Sequence, residues 1–182
     1  MTLIAPIETP SLLLRPFEEK DFDAYAALVG DDVVTRYLTW GPRRGEAARE
    51  AFERRKAPAE TTVSLAAVDR ASGRFAGDIG LFNIGGEHRG AELGYILHPD
   101  FHRRGLAAEA AGALLRVGFA QLRLHRIFAR CDDRNRASAR VMEKIGMRHE
   151  GHFLSDTFAK DEWSGTLYYA ILEEEWRARQ GG

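Results

Sequence analysis

The chain has 182 residues, of which 45% are hydrophobic and 29% charged, with a net charge of −1. That length suits one compact domain with a full core, expected to span residues 1–182, and the composition excludes a disordered tail, a collagen-like chain and a disulfide-stapled miniprotein. Cys131 is the only cysteine, which excludes an intrachain disulfide and a cysteine-built zinc site. No apolar run approaches the roughly 20 residues of a membrane span. Met1 to Pro10 carries Glu8 and lacks a basic start with a long apolar stretch, so it does not read as a signal peptide. The expected compartment is the cytoplasm.

Ser11 to Pro16 is a short apolar run closed by proline and reads as a first strand. Phe22, Tyr25, Ala26 and Val29 recur at helical spacing after the acidic start Glu18 to Asp21, and Glu46 to Ala57 gives a second helix. The stretch between them, Tyr37 to Pro42, reads as an aromatic loop. Thr62 to Val68, Phe75 to Asn83 and Ala91 to Leu97 are β-rich and separated by glycine turns. Leu106 to Leu122 is the strongest helix, its charges confined to a narrow stripe through Glu109 and Arg116, so it is expected to be largely buried. Ile127 to Cys131 follows as a strand, then Ala137 to Ile145 as a short helix stopped by Gly146. Phe153 to Phe158 and Thr166 to Leu172 complete the sheet. The order predicts an α/β fold, or α+β, with a mixed, mostly antiparallel sheet flanked by helices.

Charge is unevenly distributed. His102 to Arg148 holds 11 Arg or Lys against 4 Asp or Glu, a segment charge of +7 that leaves −8 on the rest. This polarity fits either an anionic ligand on one half or an arginine-rich surface, since 22 of the 26 basic residues are arginine. Within the basic half, a strand ending at Pro99 leads through His102, Arg103, Arg104 and Gly105 into the buried helix. Free backbone N–H groups at a helix start form an anion site, and a glycine there lets phosphate approach without a Cβ in the way. The turn is not a Walker loop, because no Gly-Lys-Ser/Thr follows, and it lacks Gly-x-Gly-x-x-Gly.

His102-Arg-Arg-Gly105-Leu-Ala107 resembles the Gln/Arg-x-x-Gly-x-Gly/Ala pyrophosphate loop of the GNAT N-acetyltransferases, with His102 as the departure. Thr9 to Arg15 and the stretch Asp31 to Pro42, especially Val34 to Leu38, resemble the N-terminal part of the RimJ/RimL-like branch, which acetylates protein N-termini, ribosomal proteins among them. Leu124 to Ile127, Asn135 to Ser138, Glu143 to Gly146 and Gly151 resemble its C-terminal half, so the likeness spans nearly the whole chain. It implies acetyl-CoA as co-substrate, bound beside the fourth strand, with no metal. Contacts to it would come from Tyr95, Ile96, Leu97 and His98, from His102, Arg103, Arg104, Gly105, Leu106 and Ala107, and from Asn135. A backbone N–H of the strand would polarise the thioester carbonyl.

The resemblance gives Ser138 the role of proton donor to the departing thiolate; a tyrosine does this in many relatives, and none lies on this helix. Asn135 also reads as a helix N-cap. At pH 7 an α-amine of pKa about 7.8 is roughly 14% neutral and a lysine amine about 0.04% neutral, so an N-terminus needs only a weak base. Glu92 is the nominee, or else a structural carboxylate paired with an arginine; Asp78, Glu87 and His98 are its rivals. Tyr37 and Trp40 either wall the acceptor pocket or belong to the core. His98 and His102 are not expected to bind a metal, because Pro99 disfavours a helix between them. His149, His152, Cys131 and Glu109 read as structural. The expected acceptor is a protein or peptide N-terminus. A small amine, such as an amino acid, polyamine or antibiotic, and an acyl-CoA-binding module without transfer are the alternatives. A homodimer is implied, without direct contact to nucleic acid or membrane.

Overall fold

β-Branched and small apolar residues in the middle of the chain build the frame. In this computed structural model, which describes residues 5–57 and 59–180, eight strands form one sheet in the order β1-β2-β3-β4-β5-β6-β8-β7. The first four residues of the N-terminal segment read for a signal peptide lie outside the described residues. The strands are β1 Ile7–Glu8, β2 Leu12–Arg15, β3 Val63–Asp69, β4 Phe75–Gly85, β5 Gly90–Leu97, β6 Arg126–Asp132, β7 Arg148–Ala159 and β8 Glu162–Leu172. Every neighbouring pair is antiparallel except β5 with β6, so the sheet is mixed and mostly antiparallel.

Alternation along the strands sends side chains to two helical layers. On one face Phe17, Ala66 and Ile96 meet α1 (Phe22–Val29) and α3 (Glu46–Lys56) through Tyr25 and Phe52. On the other, Leu65, Ile79, Leu81 and Leu93 meet α4 (Leu106–Arg116) and α5 (Arg136–Lys144). The α4 residues Leu106, Leu114 and Leu115 are at most 2% exposed, as its sparse charge predicts. Truncating Leu114 to alanine is expected to cost about 2–5 kcal/mol, the range for a buried leucine. Glu109 neither caps α4 nor touches the turn before it. Its carboxylate accepts from the Thr9 hydroxyl at 2.5 Å and the Ser11 N–H at 2.7 Å, tying β1 and β2 to the helix.

Besides the unforeseen β1 and the earlier starts of β7 and β8, three features depart from the sequence reading. The predicted single helix to Leu122 is α-helical only to Arg116 and continues as a π-helical turn, Val117–Gln121. Gly118 there lies so close to β6 that a Cβ would stand 2.5 Å from Ile127 Cδ1. A short helix α2, Asp32–Thr35, precedes the aromatic loop; Asp31 caps it by accepting from the N–H groups of Val33 at 2.7 Å and Val34 at 2.9 Å. The chain closes in α6, Glu173–Gln180, whose Trp176 packs 5.5 Å from Phe119 although the helix buries no residue fully.

Candidate active site

The sheet opens where its one parallel pair comes apart. β5 pairs with β6 only from Gly90 to Glu92, opposite Arg126 to Phe128, while β4 holds β5 as far as Leu97 and β8 holds β6 as far as Asp132. A cavity of ≈ 410 Å³ occupies the gap and reaches both faces of the sheet. Tyr95, Cys131, Asn135 and Ser138 line it on the α4–α5 side; Asp78, Phe82, Trp40 and Arg55 line it on the α1–α3 side.

On the α4–α5 side, the side chain of Asn135 caps α5 by accepting the Ser138 N–H at 3.1 Å. Capping therefore belongs to Asn135, and Ser138 is left with a free hydroxyl role. The Tyr95 hydroxyl lies 3.0 Å from Ser138 Oγ and 3.2 Å from the Ser138 carbonyl. No tyrosine is needed on α5 to reach this point, because β5 supplies one from across the gap. Burial raises the Tyr95 phenol well above its ordinary value, so it stays protonated. Burial likewise pushes the Cys131 thiol up to about 11, and its weak contact runs to the Asn135 carbonyl at 3.9 Å. A thiol so raised is a poor nucleophile at neutral pH.

The turn from β5 into α4 is held by its own histidines. His98 accepts the Asp100 N–H at 3.3 Å, which closes the 3-10 turn Pro99–Phe101. His102 Nε2 lies 2.9 Å from the Leu97 carbonyl, folding the turn back onto the strand end. Arg103 and Gly105 then both take positive φ, 60° and 78°. No side chain caps α4, and its first bond runs from Glu109 N–H to the Gly105 carbonyl at 3.1 Å. The N–H groups of Leu106 and Ala107 are therefore available, and the Leu106 side chain is buried. A Cβ on Gly105 would meet only Lys144 Nζ, at 3.7 Å, so the approach to the helix start is open and basic. Arg104 is not free countercharge. It donates to Asp69 at 2.8 Å and lies 5.4 Å over the Phe101 ring. Arg103 and Lys144 have no carboxylate partner among the described residues, and they fit an anionic pyrophosphate better.

On the α1–α3 side the walls are paired charges. Both oxygens of Glu92 accept from Arg130, each at 3.0 Å, at the last residue before the strands part. This is the arginine-paired arrangement weighed against Glu92 as a base. Asp132 and Glu162 share Arg134, at 2.7 and 2.9 Å. Tyr37 and Trp40 both line the cavity, with Arg43 4.2 Å over the Trp40 ring. The β7–β8 turn reaches them: Lys160 donates to the carbonyls of Thr35 at 3.0 Å and Arg36 at 2.7 Å. Of the other rivals for the base, Glu87 sits on the β4–β5 turn and His98 in a separate hollow with Phe75 and Arg74; neither lines this cavity. Sequence reading missed Arg55 and Lys160, whose partners lie 23 and 124 or more positions away and carry no local signature, and Arg134, which joins its near neighbour Asp132 to Glu162, 28 positions on.

A sheet that opens between parallel neighbours, with an uncapped basic helix start on one side and a cavity of mixed polar and apolar lining through the gap, suits transfer from an anionic carrier to an acceptor on the opposite face. The chain belongs to the GNAT acetyltransferase family: the model of the acetyltransferase (GNAT) domain matches residues 11–148. A GNAT-family acetyltransferase from Bacillus anthracis has the same fold, with a TM-score of 0.86 at 36% identity over 93% of this chain and 99% of its own. The uncharacterized N-acetyltransferase YnaD of Bacillus subtilis is 38% identical over 170 residues, 93% of this chain and 98% of its own. The spermidine N(1)-acetyltransferase of Escherichia coli K12 is 26% identical over 168 residues, 92% of this chain and 89% of its own. The protein is an acetyl-CoA-dependent N-acetyltransferase. Among the described residues, no helix is long and apolar enough to cross a membrane, and no group of three or more potential ligands could hold a metal ion.

Proposed function

We propose that the acceptor is the α-amine of a protein or peptide N-terminus, the chemistry of the RimJ/RimL-like branch. The observation that carries this reading is the charge balance of the cavity. Its four carboxylates, Asp78, Glu92, Asp132 and Glu162, each contact an arginine, and five cationic side chains line the same walls. A polyamine carries several positive charges and is drawn in by a cluster of carboxylates without cations, whereas each carboxylate here already faces an arginine. A single α-amine, followed by neutral peptide groups, meets no such demand.

In this reading acetyl-CoA lies against the backbone of Tyr95 to His98, with its pyrophosphate on the turn from His102 to Ala107 and its arm along Asn135. The Tyr95 hydroxyl donates to Ser138 Oγ, which leaves the serine proton free to hydrogen-bond the leaving sulfur. The two hydroxyls lie 3.0 Å apart, within reach for that donation, and the Ser138 carbonyl, at 3.2 Å, competes for the same tyrosine proton. Serine is too weak an acid to release its proton alone, so it passes one on as it gives one up. Tyr37 and Trp40 bracket the acceptor's first residue.

The test is thiol release from acetyl-CoA across peptides of varied N-terminus, amino acids and spermidine. Peptides are expected to give the highest kcat/KM. A clear preference for spermidine overturns the acceptor assignment.

A further inference from the structure

We infer that Asp78 receives the acceptor's ammonium group and takes its proton, a role the paired Glu92 does not fill; the inference rests on transfer to an amine entering through the cavity described above. Asp78 lies on β4 and is 2% exposed, yet it lines that cavity. Its Oδ2 accepts from Arg55 Nε at 2.6 Å. Its Oδ1 is buried and has no partner among the described residues; the Ser64 hydroxyl is the other side-chain atom in that condition. A buried carboxylate oxygen without a donor is costly, and such sites persist where a ligand completes them. An ammonium N–H is the donor it lacks.

The surroundings fix the carboxylate and keep water away from it. Arg55 lies 4.8 Å over the Phe82 ring, and that ring lies against Gly80 and Gly94, where a Cβ would come within 2.7 and 3.0 Å of it. The two glycines let Phe82 lie flat on the sheet, and Phe82 with Asp78 holds Arg55 still. Charged and titratable groups facing Asp78 are few. α3 contributes Arg55 and α1 contributes Tyr25, while the strand partners on β3 and β5 are Ala66 and Ile96. Burial raises the Asp78 carboxyl above its ordinary range and Arg55 opposes the rise, the direction that makes an aspartate a better base for an amine. Strand pairing sets Asp78 opposite Ile96, next in sequence to Tyr95 and four residues beyond Glu92, the last residue of β5 paired with β6.

The acceptor ammonium gives one proton to Asp78 Oδ1, and the freed nitrogen pair forms the bond to the thioester carbonyl carbon. As the carbon–sulfur bond breaks, the nitrogen's second proton passes to the Ser138 hydroxyl, which gives its own proton to the sulfur and ends unchanged. Asp78 then returns its proton to solvent.

The experiment compares a short peptide with the same peptide bearing an N-terminal aminooxy group, whose nitrogen is already neutral near pH 6.5. Propylamine and its aminooxy counterpart replace them if the wild type transfers only to small amines, so failure of the acceptor reading leaves this test standing. Asp78→Asn is expected to lower kcat/KM for the amine about 100-fold and for the aminooxy acceptor less than about fivefold. The acid limb of the wild-type amine profile should follow Asp78, and in Asp78→Asn it should move up to the amine's own ionisation, because only amine deprotonated in solution then reacts. Glu92→Gln should affect both acceptors alike. Equal losses for both acceptors in Asp78→Asn, or an acceptor-dependent loss in Glu92→Gln alone, overturns the inference. If Asp78→Asn does not fold, the Asp78→Asn, Arg55→Gln double variant removes both charges together and is judged by the same ratio.

Discussion

The two sides of the parted strands solve binding by different means. The turn from β5 into α4 offers backbone: a left-handed Gly105, an uncapped helix start and side chains turned elsewhere, Arg104 to Asp69 and Leu106 into the core. The opposite side offers side chains in fixed pairs, Asp78 with Arg55, Glu92 with Arg130, and Asp132 and Glu162 with Arg134. A backbone site tolerates much sequence change provided its glycine stays, so a histidine at position 102 is compatible with it. A side-chain site is specific to its pairs and is free to differ between enzymes that share a carrier.

That contrast can be broken at its most sensitive point. Gly105→Glu places bulk and negative charge at a left-handed position beside the helix start, and acetyl-CoA binding should be lost with the fold intact. Calorimetry checks it, and unchanged affinity would show that the anion lies elsewhere. Next in size is Ser138→Ala, for which kcat should fall about 100-fold while acetyl-CoA affinity stays within a few-fold. Because Asn135 supplies the cap, the melting temperature of this variant should hardly move. A normal kcat would mean that solvent alone protonates the thiolate.

Smaller effects sharpen the account of countercharge. Arg103→Ala with Lys144→Ala should weaken coenzyme A binding about tenfold and flatten its dependence on salt, since exposed ion pairs are screened. Arg104→Ala should leave the salt slope near wild type and act through the Asp69 pair it breaks. An unchanged slope in the first variant would relocate the phosphate site. Smallest is Asn135→Ala, expected to cost about 1 kcal/mol of stability from the lost cap, read by thermal melting.

Much of the frame was legible in the sequence. The strands at Phe75, Ala91 and Ile127 and the helices at Phe22, Glu46, Leu106 and Ala137 carry strong periodicity, and the structure places them within a few residues. The missed pieces lack that signal. α6 opens with three glutamates and touches the core mainly through Trp176, so it has no apolar stripe. The first half of β7 reads as charge, histidine and glycine because β7 is the exposed edge strand, with register breaks at His149/Gly151 and Phe153/Thr157. At the site, the basic glycine turn was readable because backbone geometry needs a particular residue in a particular place. The partnership of Tyr95 with Ser138, 43 positions apart, exists only once the sheet has formed and the strands have parted. The fixed pairing of Glu92 with Arg130 was weighed from composition but could not be assigned from it.

The proposal that both faces of one cavity serve a single direct transfer is best tested by initial rates with acetyl-CoA and acceptor varied together, alongside the intact mass of enzyme treated with acetyl-CoA alone. Intersecting double-reciprocal lines and an unmodified enzyme are predicted, because both substrates must be bound at once and the raised Cys131 thiol is a poor nucleophile. Parallel lines with an acetyl group on Cys131 would contradict it.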